Sequence, residues 1–275
     1  MQTLDKALAF QALHAQPKLF ILPNAWDAGS AKILESLGYQ ALATTSAGLA
    51  FSLGRRDGEG AVSRAETLAN AQAIVQATRL PVSADLENGF GDSPEAVAAT
   101  IRMAGDIGLV GGSIEDASGN AAAPIYDFNH ALERVIAGVE AARSLPFPFT
   151  FVARAENFSQ GRPDLDDTIH RLVAFERAGA DVLFAPSLPN LEAIRQVCAA
   201  LGKPVNVVMG LAGSKLTARE LEGAGVRRVS LGSSFARAAL GALLRAAREV
   251  RDGGTFEFAD EALGFREANG VMGAQ

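Results

Sequence analysis

Short apolar runs alternate with helix-patterned stretches along almost the whole chain, and this alternation limits the fold more than any other feature. The runs cover residues 19–25, 41–46, 81–87, 111–115, 150–156, 181–186, 204–209 and 228–232. Between several of them, at 65–77, 96–108, 131–142 and 165–178, apolar residues recur three and four apart. That spacing marks helices, and brief apolar runs bounded by turn residues mark strands. Strand, crossover helix and strand make a parallel pair. Eight such runs with no Pro/Ser linker or shift in composition predict one α/β domain over residues 1–275, a closed (β/α)8 TIM-type barrel. The length of 275 residues suits that fold, which typically takes about 250. Gly38, Gly179 and Gly225 each follow a helical stretch, where glycine accepts the left-handed turn that closes a helix. Residues 251–275 read as a C-terminal helical extension. Its Phe256, Phe258, Leu263 and Phe265 form an apolar stripe for a subunit contact or for the chain's own barrel.

Composition excludes several function classes. The net charge of −6 offers no basic stripe for nucleic acid. An anionic substrate must therefore find its positive charge locally. A single cysteine, Cys198, allows no internal disulfide and fits a reducing compartment. Residues 1–17 lack an apolar signal core, and no run approaches the roughly 18 apolar residues of a membrane span. A cytoplasmic protein with no nucleic-acid or membrane partner is expected.

A barrel of this kind carries its chemistry at the carboxyl ends of the strands. Those ends hold Asn24 and Asp27, Thr45 and Ser46, Asp85 and Glu87, Glu115 and Asp116, Arg154 and Glu156, and Asn206. The collection is acidic, with one arginine and no His, Lys or Cys. Asp85 and Glu87, two apart on a strand, point to one face, and Glu115 comes from the next strand. Such a group is tolerable around a divalent cation, and oxygen-only ligands suit Mg²⁺, with Mn²⁺ also possible. The alternative is that these acids cap helices or pair with surface lysines. Arg154 can grip a substrate carboxylate bidentately or pair with Glu156 or Glu115, and these roles are compatible. Thr45, Ser46, Ala47 and Gly48 offer hydroxyls and close access to backbone N–H groups; the alternative is an ordinary tight strand-to-loop turn of small residues. Asn206, on the seventh run, joins Ser46, Ala47, Gly48 and Arg154 as a substrate-binding candidate. Lys6, Lys18, Lys32, Lys203 and Lys215 all lie outside the strands, which argues against Schiff-base chemistry. His14, His130 and His170 fall in helical stretches, so no histidine base is evident.

In order along the chain stand Asn24-Ala25-Trp26-Asp27, Thr45-Ser46-Ala47-Gly48, Asp57-Gly58-Glu59, Asp85-Leu86-Glu87-Asn88-Gly89, Ser113-Ile114-Glu115-Asp116 and Arg154-Ala155-Glu156. This ordered set resembles the isocitrate lyase/phosphoenolpyruvate mutase superfamily. The resemblance implies that Asp85 ligates Mg²⁺ directly, while Asp57, Glu87 and Glu115 hold its waters. It implies that Ser46, Ala47 and Gly48 receive the substrate carboxylate and that Arg154 binds substrate oxygens. It further implies that the last helix is exchanged between subunits of a homodimer or homotetramer. Two departures stand out: Glu87 replaces a second Asp, and residues 117–126 lack the Lys-Lys-Cys-Gly-His loop of the family's lyases. In that loop Asn120 can contact a transferring group and Tyr126 can donate a proton; the alternatives are a turn residue and a packing residue. The expected activity is Mg²⁺-dependent carbon–carbon lysis or decarboxylation of a small 2-oxo or 2-hydroxy di- or tricarboxylate through an enolate of the pyruvate type. Phosphorus–carbon chemistry of the mutase or phosphonopyruvate hydrolase kind, hydrolysis of an acyl-pyruvate-like substrate, and non-catalytic binding of an oxo-acid are the other readings.

Overall fold

The structure is a computed structural model and describes residues 2–210 and 215–273. Its strands are Phe20–Leu22 (β1), Asn24–Ala25 (β2), Leu42–Thr44 (β3), Val82–Asp85 (β4), Gly111–Glu115 (β5), Thr150–Arg154 (β6), Val182–Phe184 (β7), Val205–Val208 (β8) and Arg228–Ser230 (β9). The helices are Thr3–Ala15 (α1), Ala28–Ser36 (α2), Ser46–Ser52 (α3), Arg64–Ala77 (α4), Pro94–Asp106 (α5), Phe128–Arg143 (α6), Leu165–Arg177 (α7), Leu191–Ala200 (α8), Ala218–Gly223 (α9), Ser234–Gly253 (α10) and Phe265–Gly273 (α11). All the ladders are parallel, in the order β1-β9-β8-β7-β6-β5-β4-β3-β2.

The two ends of that order belong to one run of chain. The sequence predicts a single strand over 19–25, and the structure splits it at Pro23, which has no N–H to give the ladder. β1 pairs with β9 through Phe20 and Arg228, while β2 pairs with β3 through Asn24 and Ala43. The Pro23 carbonyl still accepts the Ala43 amide at 2.9 Å. The split strand therefore closes the ring of eight.

Polar N-caps start the crossover helices: Ser63, Ser93, Asp127, Asp164 and Asn190 each accept an amide of the first turn. The helices pack their apolar faces on the strands, burying Leu42, Ile74, Ile101, Phe149, Phe151 and Phe175. At the amino-terminal end of the barrel, α1 inserts Phe10 beside Leu22, Ala43 and Val110. Gly111 makes room for it: a Cβ there would meet the Phe10 ring at 3.0 Å and the Thr150 carbonyl at 2.9 Å.

The carboxyl-terminal segment departs from the barrel. α10 buries only Ala236, and Leu240, Leu243 and Leu244 are exposed. Beyond α10 the chain carries a short turn at Glu257–Asp260 and then α11, and Phe256, Phe258, Leu263 and Phe265 of the anticipated stripe are exposed as well. α11 returns to α2, where Lys32 donates to the Met272 carbonyl at 2.6 Å. Residues 274–275 of the predicted extension lie outside the described residues. On the barrel, outward-facing Ile21 of β1 is 38% exposed. Among the described residues, no helix is long and apolar enough to cross a membrane.

Candidate active site

The carboxyl ends of β4, β5 and β6 converge on Arg154. Its Nη1 meets Asp85 Oδ1 at 2.9 Å, its Nη2 meets Glu115 Oε2 at 2.9 Å, and its Nε meets Glu156 Oε1 at 2.7 Å. The Phe184 ring of β7 lies 5.1 Å from the guanidinium carbon. Burial lowers the affinity of Arg154 for its proton, but Glu156, Glu115 and Asp85 outweigh it and hold the guanidinium above its ordinary value. The ion pairs anticipated for Arg154 thus form, and a second N–H remains on each Nη.

Around this hub negative charge exceeds positive. Glu87 is pushed up to about 7 by burial, then by Asp85 and Asp57. Burial raises Glu115 well above the carboxylate range; Glu156, Asp85 and Glu87 add to the shift, and Arg154 only partly offsets it. Asp57, on the exposed 53–63 loop, is also raised, by desolvation and by Asp85, although the Ser46 hydroxyl and Gly58 amide act to lower it. The structure thus brings Asp57, Asp85, Glu87 and Glu115 into one electrostatic neighbourhood. Glu87 reaches it by an unexpected route. β4 stops at Asp85, and Glu87 adopts φ +48°, so strand alternation does not aim it. Phe90 follows at φ +59°. Both are left-handed conformations that cost energy in a non-glycine residue.

What holds that loop is Arg134, which the sequence reading missed. This wholly buried residue of α6 donates to the Gly91 carbonyl at 2.7 Å and to those of Asn88 and Asp92, and its guanidinium carbon lies 4.3 Å from the centre of the Tyr126 ring. The signal was present, because Arg134 occupies the apolar face that contains Ala131 and Val135. Arg171 was missed for the same reason. It is buried on α7 and joins Asp116, Asp167 and the Tyr126 carbonyl. Asp116 in turn accepts the Glu156 amide at 2.8 Å. Burial, the largest influence on Asp116, drives it up to about 6.

Ser46, Ala47 and Gly48 form the first turn of α3, a helix where the sequence suggested only a strand end. The Ser46 amide donates to Asp85 Oδ2 at 3.2 Å, and the Gly48 amide to its N-cap Thr45 Oγ1 at 3.2 Å. The Ala47 amide has no acceptor among the described residues and is available to a ligand. Gly48 is required by space: a Cβ would stand 2.5 Å from Thr45 Cγ2 and 2.9 Å from Trp26 Cβ.

A cavity of about 820 Å³ adjoins the acidic group, with Glu87 and Glu115 in its wall beside Asn88, Arg64, Asn120 and Pro124. Asn120 lies on its rim in a local turn, with Oδ1 accepting the Ala122 amide at 3.0 Å. Tyr126 does not face it. Its hydroxyl donates to Asp92 Oδ1 at 2.6 Å, and burial followed by that bond pushes it up to about 12, which leaves a poor proton donor. Asn206 lies apart too: wholly buried, it donates to Ser230 Oγ at 3.0 Å and accepts Arg228 Nε at 2.9 Å. Its position on an inward face was legible; its commitment to Arg228 was not. Cys198 sits on α8 with its thiol pushed up to about 11 by burial, unlike a nucleophile.

Among the described residues no three His, Cys, Asp or Glu side chains converge closely enough to hold a metal directly. The donors do suit a cation that keeps its waters. Mg²⁺ commonly binds through one or two carboxylates and several waters. Asp85 can supply the direct contact, and the raised acids mark charge that such an ion would neutralise.

The sequence profile of phosphoenolpyruvate phosphomutase matches residues 10–251. A candidate lyase/mutase from Burkholderia cenocepacia J2315, known from its crystal structure, is 55% identical, with 99% of this chain and 97% of that one covered and a TM-score of 0.96. An uncharacterised protein of Mycobacterium tuberculosis H37Rv is 34% identical over 90% of each chain. The 2,3-dimethylmalate lyase of Eubacterium barkeri is 27% identical over 70% of this chain and 68% of its own. The chain belongs to the phosphoenolpyruvate phosphomutase family, within the isocitrate lyase/phosphoenolpyruvate mutase superfamily of lyases and mutases.

Proposed function

We propose that the protein is a Mg²⁺-dependent lyase or decarboxylase of a small 2-oxo or 2-hydroxy di- or tricarboxylate. The observation that carries this reading is the surplus of carboxylates around Arg154, with Asp57, Glu87 and Glu115 all resisting ionisation. When bound, Mg²⁺ supplies Lewis-acid stabilisation of negative charge developing on the substrate's oxo and carboxylate oxygens. Asp85 would hold it, with Asp57, Glu87 and Glu115 arranged about its waters. The chain's own groups do the rest. The Ala47 amide, at the start of α3, orients a substrate carboxylate. The remaining Nη hydrogens of Arg154 would receive the oxygen on which enolate charge collects, in a site preorganised before the reaction. Asn120 borders the part of the cavity where the leaving fragment would lie. The 117–126 loop brings no cation, which favours carbon–carbon over phosphorus–carbon cleavage.

Incubation with oxaloacetate, 2-methylisocitrate, 2,3-dimethylmalate and phosphonopyruvate in Mg²⁺, with pyruvate and the companion products assayed, tests the reading. Turnover of a carboxylate substrate should stop with chelator and fall about 100-fold or more in Asp85→Ala. Turnover of phosphonopyruvate alone would place the protein with the mutases and hydrolases. Oxalate binding without turnover of any compound would make it a binder.

The same reading includes a homodimer or homotetramer with α10 exchanged between subunits. α10 stands off its own barrel with Leu240, Leu243 and Leu244 exposed, and Ile21 of β1 is left partly uncovered where barrel strands are ordinarily screened by helices.

A further inference from the structure

Arg64 is the only cationic side chain in the cavity wall among the described residues. Of the neighbouring arginines, Arg55 is paired to Glu66 at 2.8 Å, Arg56 to Glu59 at 3.2 Å, and Arg154 to its three partners. Arg64 has no carboxylate partner among the described residues. One of its N–H groups reaches the hydroxyl of Thr100 at 3.3 Å, and that hydroxyl is already engaged with the Gly89 carbonyl at 2.7 Å. The remaining guanidinium hydrogens are unspent in a half-buried position.

Its place in the fold argues against a purely structural role. Arg64 is the first residue of α4, directly after the N-cap Ser63. The helix dipole presents partial positive charge there, so a cation is locally unfavourable. The stabilising charge of that turn is Glu66, which accepts the Ser63 amide at 3.0 Å.

We infer that Arg64 is a specificity-determining residue that binds a second carboxylate of the substrate, remote from the end held by Asp85 and Arg154. This rests on the di- or tricarboxylate reading above and adds the residue that recognises the second carboxylate. One guanidinium matches one carboxylate in charge and in its paired hydrogen bonds. A dianionic phosphoryl group beside Glu87 and Glu115 would remain under-neutralised.

Calorimetric titration with Mg²⁺ present separates the possibilities, using oxalate for the head end, malate and lactate as 2-hydroxy acids with and without a second carboxylate, and phosphonopyruvate. The wild type should bind oxalate, and malate more tightly than lactate. Arg64→Gln should leave oxalate unchanged and weaken malate about 10- to 100-fold, to the level of lactate. Arg64→Lys should recover part of the loss, and thermal unfolding of both variants should show no decrease in Tm. Malate binding unchanged in Arg64→Gln, or no tighter than lactate in the wild type, would overturn the assignment to Arg64 while oxalate binding upholds the metal-end reading. A larger loss for phosphonopyruvate than for malate would overturn the carboxylate. A wild type that binds no oxalate with Mg²⁺ removes the oxo-acid reading and this inference with it.

Discussion

Glu87 shows how much one residue's chemistry depends on what surrounds it. In the metal-free protein its neutral form is favoured below about pH 7, so its contribution to stability is full below its ordinary value near 4.5 and is lost as pH rises through about 7. A divalent ion binds the ionised form and reverses the preference. Mg²⁺ should therefore bind with release of protons near pH 6.5, and should raise Tm more at pH 8 than at pH 6. Calorimetry in buffers of different ionisation enthalpy reads the protons directly; no proton release and a pH-independent increment would show that Glu87 is not coupled to the ion. Arg134 is the complementary case. Arg134→Met removes the donor to three carbonyls around a left-handed loop. A loss of about 3 kcal/mol or more is expected in urea unfolding, together with weaker Mg²⁺ binding because Glu87 loses its support. Undiminished stability would mean that the loop holds itself. The acids were legible from their residue types and order. The two buried arginines were not, because a cation on an apolar helical face declares no partner until the fold supplies one.

Elements set the precision of the site. The loop over 117–125 is pinned at its base, where Ala117 bridges Ile125, the Tyr126 amide donates to the Asp116 carbonyl and the Tyr126 carbonyl accepts from the Arg171 guanidinium. Arg171 also anchors Asp116, whose other oxygen holds the start of the segment after β6. Arg171→Gln would leave a buried acid without its charge partner. It should lower stability by about 3–5 kcal/mol and raise the protease sensitivity of the loop; a variant as stable and resistant as wild type would sink this account. The strand and main helix pattern was legible because hydrophobic period is local. α3 was not, since its seven residues are too few for a periodic signal, and its cap Thr45 read equally well as the end of a strand.

At the scale of the molecule, the barrel is closed but its last long helix is not folded back on it. α10 has 20 residues, a length of about 30 Å. Its exposed leucines are the surface that a second copy would cover. Light scattering at micromolar concentration should show a dimer or tetramer, and Leu243→Glu combined with Leu244→Glu should shift it to monomer; a monomeric wild type would contradict the exchange. The sequence by itself determined the parallel eight-unit order and the acidic character of the strand ends, because alternation and residue type are properties of neighbours along the chain. Only the tertiary structure decided that Arg154 would be shared among three carboxylates, that Tyr126 and Asn206 would be drawn away from the cavity, and that Arg64 would face it with no carboxylate partner among the described residues. Those outcomes depend on groups distant in sequence competing for the same charges and hydrogen bonds, and that competition is settled only when the ring closes.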